Sequence, residues 1–279
     1  MRRRFLRRFR RQPSAVVALS FLALLTLVAV LAPLLAPQDP EALNLRAVLA
    51  PAGDGHLFGT DDLGRDVLSR LIYATRISLL AAAQAVGVAV ALGVVPGVLA
   101  GYLGGVVDTV IMRITDAVMS YPPLILAIAL VGLLGPSLTN AMTAIGILYA
   151  PRFLRLMRGT VLGVREETFI EACRSVGCST SQIIRRHVLP NVLSPLLVQI
   201  SLVAGFAMLA EASLSFLGLG VQPPDASWGS MLGRASRNMD RSPMLVVYPG
   251  LLLALTVLAF NILGDGLRDS LGRETRRAE

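Results

Sequence analysis

An uncharged, apolar run at residues 15–36 is the feature that most restricts the fold of this chain. A helix of this length would be about 33 Å long, and the hydrocarbon core of a bilayer is about 30 Å thick. Seven arginines stand among the first eleven residues, before the run. Because a secretory signal has an apolar region of roughly 7–15 residues, the run predicts an uncleaved membrane anchor with a cytoplasmic N-terminus.

Further apolar segments predict an all-α, polytopic membrane protein. Only 16% of the residues are charged, whereas soluble domains have about 25%. Pro122 and Pro123 should bend the third helix, and we expect Arg152, Arg155 and Arg158 of the fourth to reach the headgroups. Together with the first run, six transmembrane helices are predicted. The five later ones cover residues 77–101, 117–134, 138–157, 192–217 and 245–263.

The distribution of arginine orients these helices. With both termini in the cytoplasm, the inner segments contain 19 arginines and the outer segments 7, in agreement with the positive-inside rule. The predicted organisation is a basic N-terminus and first helix at 1–36, an external loop at 37–76, and a five-helix core at 77–279 with a cytoplasmic loop at about 159–191.

The composition also excludes several chemistries. All 26 basic residues are arginine, so the chain has neither the lysine of a phosphate-binding P-loop nor a Schiff-base lysine. The basic residues flank apolar runs without interleaved aromatic residues, which disfavours nucleic-acid binding. Cys173, Cys178 and His187 are irregularly spaced for zinc, and His56 is poor support for nickel. We therefore predict no catalytic residue, no metal site and no cofactor in this chain.

The polar segment "EACRSVGCSTSQIIRRHVLPN" at 171–191 lies between two predicted membrane helices. Its periodicity predicts two short amphipathic helices with a bend at Gly177. The Ser and Thr residues after Gly177 should cap the second helix, and Pro190 should end it. Composition alone allows this segment to lie on lipid headgroups, to pack under its own bundle, or to dock into a partner.

This segment resembles the EAA loop of ABC importer permeases, which reads Glu-Ala-Ala, three residues, Gly, nine residues, Ile-x-Leu-Pro. Cys173 replaces the second alanine and His187 replaces the isoleucine. The matching residues are Glu171, Ala172, Gly177, Leu189 and Pro190.

Three further stretches resemble the C-type subunit of the dipeptide, oligopeptide and nickel importer family. They read "HLFGTDDLGRDVLSRLIYATRISL", "AEASLSFLGLGVQPPDASWGSML" and "FNILGDGLRDSLGR". With the EAA segment, the resemblance extends over nearly the whole chain. It implies the type I ABC importer permease fold, in the plasma membrane of a bacterium or archaeon.

The resemblance also implies a function and partners. The chain would form half of a path for di- or oligopeptides, with nickel chelates or glutathione-like peptides as alternatives. Its partners would be a homologous B-type permease, two cytosolic subunits that bind ATP and Mg, and an extracytoplasmic substrate-binding protein. The EAA loop would dock on an ATPase and bury its apolar face there. The implied coupling residues are Glu171, Ala172, Cys173, Arg174, Gly177, Leu189 and Pro190.

Two polar residues within the apolar runs are candidates for the path. Glu211 lies near the predicted outer end of the fifth helix, where it would be either a pore-mouth or partner contact or a solvated or hydrogen-bonded interfacial carboxylate. Asn261 in the sixth helix would either bond to another helix or contact substrate. A secondary transporter or channel that works without ATP is the alternative class of function.

Overall fold

The computed structural model describes residues 7–53 and 55–272, and the regular structure of these residues is helical apart from isolated β-bridges. The two chain termini, which are predicted to be cytoplasmic, lie outside the described residues. A π-helical turn at Ile184–Val188 and a 3-10 turn at Ser236–Asn238 complete the helices given next. The helices are α1 Pro13–Val30, α2 Ala32–Leu35, α3 Val67–Leu103, α4 Gly105–Met119, α5 Pro123–Leu134, α6 Leu138–Arg165, α7 Thr168–Ser175, α8 Thr180–Ile183, α9 Leu189–Phe216, α10 Trp228–Ala235 and α11 Met244–Gly272.

Long apolar helices correspond to the predicted membrane runs. Within the described residues, 4 helices are long and apolar enough to cross a bilayer, and α4 with α5 would make a fifth, bent crossing. Helix α6 is continuous over 28 residues, but its arginines make it less apolar than the others. Helix α3 begins at Val67, well before the apolar run that starts at residue 77. The count of six crossings stays a prediction.

The prediction that residues 117–134 form a single bent helix is wrong. The chain breaks after α4, and α5 starts at an angle of 90° to it. Pro122 caps α5 and Pro123 occupies its first turn. Proline has no backbone N–H to continue a preceding helix, but its fixed φ suits a helix start. Two adjacent prolines therefore separate two helices here.

Helices α3 and α6 pack closely because glycines line their contact. A Cβ atom on Gly93 would lie 2.5 Å from the Ala150 carbonyl oxygen, and one on Gly97 would lie 2.6 Å from that of Leu154. The residue numbers rise together along both helices, so α3 and α6 run parallel. Small residues allow this approach of two backbones within a membrane.

The loop at 37–76, which is predicted to be external, and α10 are structured. Trp228 is fully buried, and its backbone N–H donates to the Ser78 hydroxyl over 3.1 Å. His56 Nδ1 lies 3.0 Å from a carboxylate oxygen of Asp66, whose other oxygen accepts from the backbone N–H of Ser69 and caps α3. Among the described residues, no group of His, Cys, Asp and Glu side chains could hold a metal.

Candidate functional site

The EAA segment, which we define as residues 166–191, contains the two predicted short helices. Helix α7 ends before Gly177, whose φ of +81° favours glycine. The Ser179 side chain accepts from the backbone N–H of Gln182 and caps α8, as predicted. Pro190 does not end the second helix, contrary to prediction. The π-helical turn leads directly into α9, and Pro190 lies in the first turn of α9, where proline is tolerated.

One face of the EAA segment packs under the membrane helices of its own chain. Ile170, Ile183 and Val188 are buried in one cluster with Tyr102 of α3 and Met157 of α6. The resemblance implied that the apolar face would be buried on an ATPase. In the structure this face is already covered, because it lies against the ends of α3 and α6.

The opposite face of the EAA segment is exposed. Val176 has 79% of its surface exposed, and a Cβ on Gly177 would meet no atom within 4 Å. This surface includes most of the residues implied in coupling. The exposed members are Glu171, Ala172, Arg174, Gly177, Leu189 and Pro190.

Cys173 differs from the other predicted coupling residues because its side chain turns towards the bundle. Its sulfur lies 3.5 Å from Nε2 of His187, and both Cys173 and Cys178 pack beside the buried cluster. Burial, and then the neighbouring Cys178, raise the pKa of the Cys173 thiol. A protonated thiol suits a packing role rather than a reactive one.

Tyr102 anchors the EAA segment to α3 and α6, and sequence reasoning missed it. The Arg165 guanidinium donates to the Tyr102 carbonyl oxygen over 3.1 Å. The Arg174 guanidinium lies 5.8 Å from the centre of the Tyr102 ring, within cation–π range. An aromatic residue two positions before the glycine pair at Gly104 was the only signal in the sequence.

Two arginines of α6 form ion pairs that the sequence did not predict. Arg158 makes two hydrogen bonds to Asp108 of α4, at 2.5 and 2.6 Å. Arg155 donates to Asp116 of α4 over 2.7 Å. These two ion pairs tie α4 to α6.

Neither candidate path residue lines the groove described next. Glu211 is 1% exposed and accepts a hydrogen bond of 2.6 Å from the Ser215 hydroxyl. This is the hydrogen-bonded alternative given above, although the carboxylate is buried rather than solvated. Asn261 donates over 3.0 Å to the Val257 carbonyl of its own helix, not to another helix.

A groove between α5, α6 and α9 encloses about 300 Å³. Its lining is mostly apolar and includes Leu124, Ile145, Tyr149, Phe206 and Ser213. Sequence reasoning missed it, since hydropathy does not show which apolar residues face a groove rather than a neighbouring helix.

Comparison with known families identifies the chain. A family described as "Binding-protein-dependent transport system inner membrane component" matches residues 93–277. The chain belongs to this family. A second family, described as "N-terminal TM domain of oligopeptide transport permease C", matches residues 1–52 of the permease.

Individual proteins agree with this assignment. The permease is 47% identical over 273 residues to the glutathione transport system permease protein GsiD of Shigella flexneri serotype 5b (strain 8401), covering 96% of this chain and 88% of that protein. GsiD of Escherichia coli O6:K15:H31 (strain 536 / UPEC) is 45% identical with the same coverage.

Solved structures show the same fold. The inward-facing MetNI methionine ABC transporter matches with TM-scores of 0.60 in its native crystal form and 0.58 in a SeMet soak form, at 19% identity. Each match covers 73% of this chain and 97% or 96% of the other. The predicted ABC importer permease, its fold and its plasma-membrane location are therefore confirmed, which disfavours the ATP-independent alternative.

Proposed function

We propose that this permease forms half of an ATP-driven import path for short peptides, with glutathione as the first substrate to test. Support for glutathione comes from relatives at 47% and 45% identity that are named glutathione transport permeases. Other di- and oligopeptides are the wider class. The chain has no lysine for a P-loop, so ATP and Mg would be bound by partner subunits.

The partners in this proposal are those of the peptide importer family. They are a homologous B-type permease, two cytosolic ATP-binding subunits and an extracytoplasmic binding protein. Residues 37–76 and α10 would face the binding protein. The groove between α5, α6 and α9 would contribute this chain's side of the path.

The two-faced EAA segment is the observation that carries the coupling proposal. Its buried face, including Ile170 and Ile183, is fixed to α3 and α6, while Glu171 on the other face is exposed. A partner that binds the exposed face would therefore move the membrane helices with it. We propose that an ATPase binds this face and that its closure on ATP changes the access of the path. The apolar Val176 and Phe169, 79% and 40% exposed, would be covered in the same contact.

Reconstituted transport tests this function. Proteoliposomes containing both permeases and both ATP-binding subunits should accumulate labelled glutathione when ATP is inside and loaded binding protein is outside. A transporter whose ATPases cannot hydrolyse ATP is the control and should show no accumulation. Accumulation without ATP would refute the mechanism, and accumulation of a dipeptide or a nickel chelate but not glutathione would refute the substrate.

A disulfide test addresses the coupling surface. A Glu171→Cys variant should form a disulfide crosslink with a cysteine of an ATP-binding subunit. A Leu124→Cys variant should not, because Leu124 lines the groove. Equal crosslinking of the two positions, or none at Glu171, would overturn the docking of the EAA segment.

A further inference from the structure

Arg152 stands at the rim of the groove between α5, α6 and α9. Its side chain is exposed in this chain. The guanidinium carbon lies 4.9 Å from the centre of the Tyr149 ring and 5.0 Å from that of Phe206. Both rings line the groove, so the guanidinium lies at its edge, within cation–π range of two aromatic residues.

The guanidinium points towards the middle of the membrane. Phe206 is close to the centre of the apolar run at 192–217. Tyr149 lies about one turn from Arg152 towards the start of α6, which is the predicted outer end, and side chains on a helix lean in that direction. The sequence predicted that Arg152 reaches the cytoplasmic headgroups, which in the predicted topology lie in the opposite direction along α6.

Arg152 also has no anionic partner among the described residues. Arg155 and Arg158, its neighbours along α6, each pair with an aspartate of α4. No carboxylate at positions 7–53 or 55–272 lies within ion-pair distance of Arg152. The lining of the groove contains no acidic residue. An unpaired cation at membrane depth is costly and is by default a candidate for function.

We propose that Arg152 binds a carboxylate of the peptide as it passes through the groove, while Tyr149 and Phe206 contact the apolar part. This inference rests on the proposed import of peptides. A groove of about 300 Å³ is at the lower end of the size of small-molecule sites, which suits a short peptide. A guanidinium favours a carboxylate because it donates several hydrogen bonds in one plane.

Three variants in the complete transporter test this site. Arg152→Gln removes the charge, Arg152→Lys keeps it, and Arg155→Gln removes the neighbouring charge outside the groove. The readouts are maximal ATP-driven uptake of glutathione with saturated binding protein, and co-purification of all subunits. We expect uptake by R152Q to fall about tenfold or more, as for the loss of a charged hydrogen bond. R152K should retain more uptake than R152Q but less than the wild type, because its charge stays while the planar set of donors is lost, and R152Q should still assemble.

Each other outcome is decisive. Unchanged uptake by R152Q would show that Arg152 contacts lipid or solvent and would refute the site. Loss of subunit co-purification in R152Q would show that Arg152 pairs with the second permease, which also refutes it. An equal fall in uptake by R155Q would mean that uptake depends on the positive charge of α6 in general and not on a site in the groove. If the wild type imports no glutathione, the proposed substrate fails instead, and the same variants are compared with a labelled dipeptide.

Discussion

The contact between α3 and α6 predicts a specific cost for adding one methyl group. In Gly97→Ala the new Cβ would lie 2.6 Å from the Leu154 carbonyl oxygen and 3.0 Å from its Cα. These are backbone atoms of a helix and cannot rotate away, so the helices must separate. Overpacking of this kind costs about 1–3 kcal/mol. Alanine regains up to about 1 kcal/mol of helix propensity over glycine, so a packing cost of about 2 kcal/mol leaves a net loss of about 1 kcal/mol relative to the wild type.

Gly87 provides a matched control on the same helix. A Cβ there would meet no atom within 4 Å, so Gly87→Ala should show the gain in propensity without the cost. The difference between the two variants isolates the packing term. For a protein of this size, a packing term of about 2 kcal/mol corresponds to a Tm about 4–8 °C lower for Gly97→Ala than for Gly87→Ala. The assay is thermal unfolding of the purified complex in detergent, with size-exclusion chromatography as the readout of the complex that remains folded. A Tm for Gly97→Ala equal to or above that of Gly87→Ala would refute the close approach of α3 and α6.

Four further predictions concern the EAA segment and the contact between α4 and α6. Glu171→Lys changes an exposed residue, so Tm should stay within the effect of about 0.5 kcal/mol expected for a surface site, while ATP-driven uptake falls. Gly177→Pro cannot adopt the native φ of +81°, so uptake should be lost although the protein still inserts. Asp108→Asn should destabilise the permease by about 1 kcal/mol, because the pair with Arg158 is partly exposed, and the swap of Asp108→Arg with Arg158→Asp should recover part of the loss. Cys173, in a Cys178→Ser background, should react slowly with maleimide at neutral pH and faster as pH rises, because its raised pKa leaves little thiolate.

Each of these results has a contrary outcome. Normal uptake by Glu171→Lys or Gly177→Pro would separate transport from the EAA segment. Equal Tm values for Asp108→Asn and the wild type would show that the ion pair with Arg158 adds no stability. Labelling of Cys173 as fast as in the unfolded chain would show that the thiol is not packed against the bundle.

Hydropathy and short motifs predicted much of this fold. The apolar runs located the long helices, since the bilayer imposes a minimum apolar length. The two short helices of the EAA segment followed from local signals, Gly177 for the bend and Ser179 for the cap. The break between α4 and α5 was underestimated as a bend, although Pro122 and Pro123 were visible in the sequence.

Partners in space were harder to predict than elements. The pairing of Arg155 and Arg158 with aspartates of α4 depends on how two helices lie together, which single-sequence periodicity does not contain. For the same reason the apolar face of α7 was assigned to a partner, although it packs on α3 and α6. The groove beside Arg152 arises from three separate helices and has no local signature in the sequence.

The π-helical turn at Ile184–Val188 has a mechanical consequence. It joins α8 to α9 without a loop, so Thr180–Phe216 forms one rod of 37 residues, about 55 Å long at the usual rise. One end of this rod lies at the EAA surface, and the other carries Phe206 past the groove. No loop separates Thr180 from the groove, so a displacement at Thr180 would be transmitted to the groove through continuous helix, with Pro195 as a point where that helix can bend.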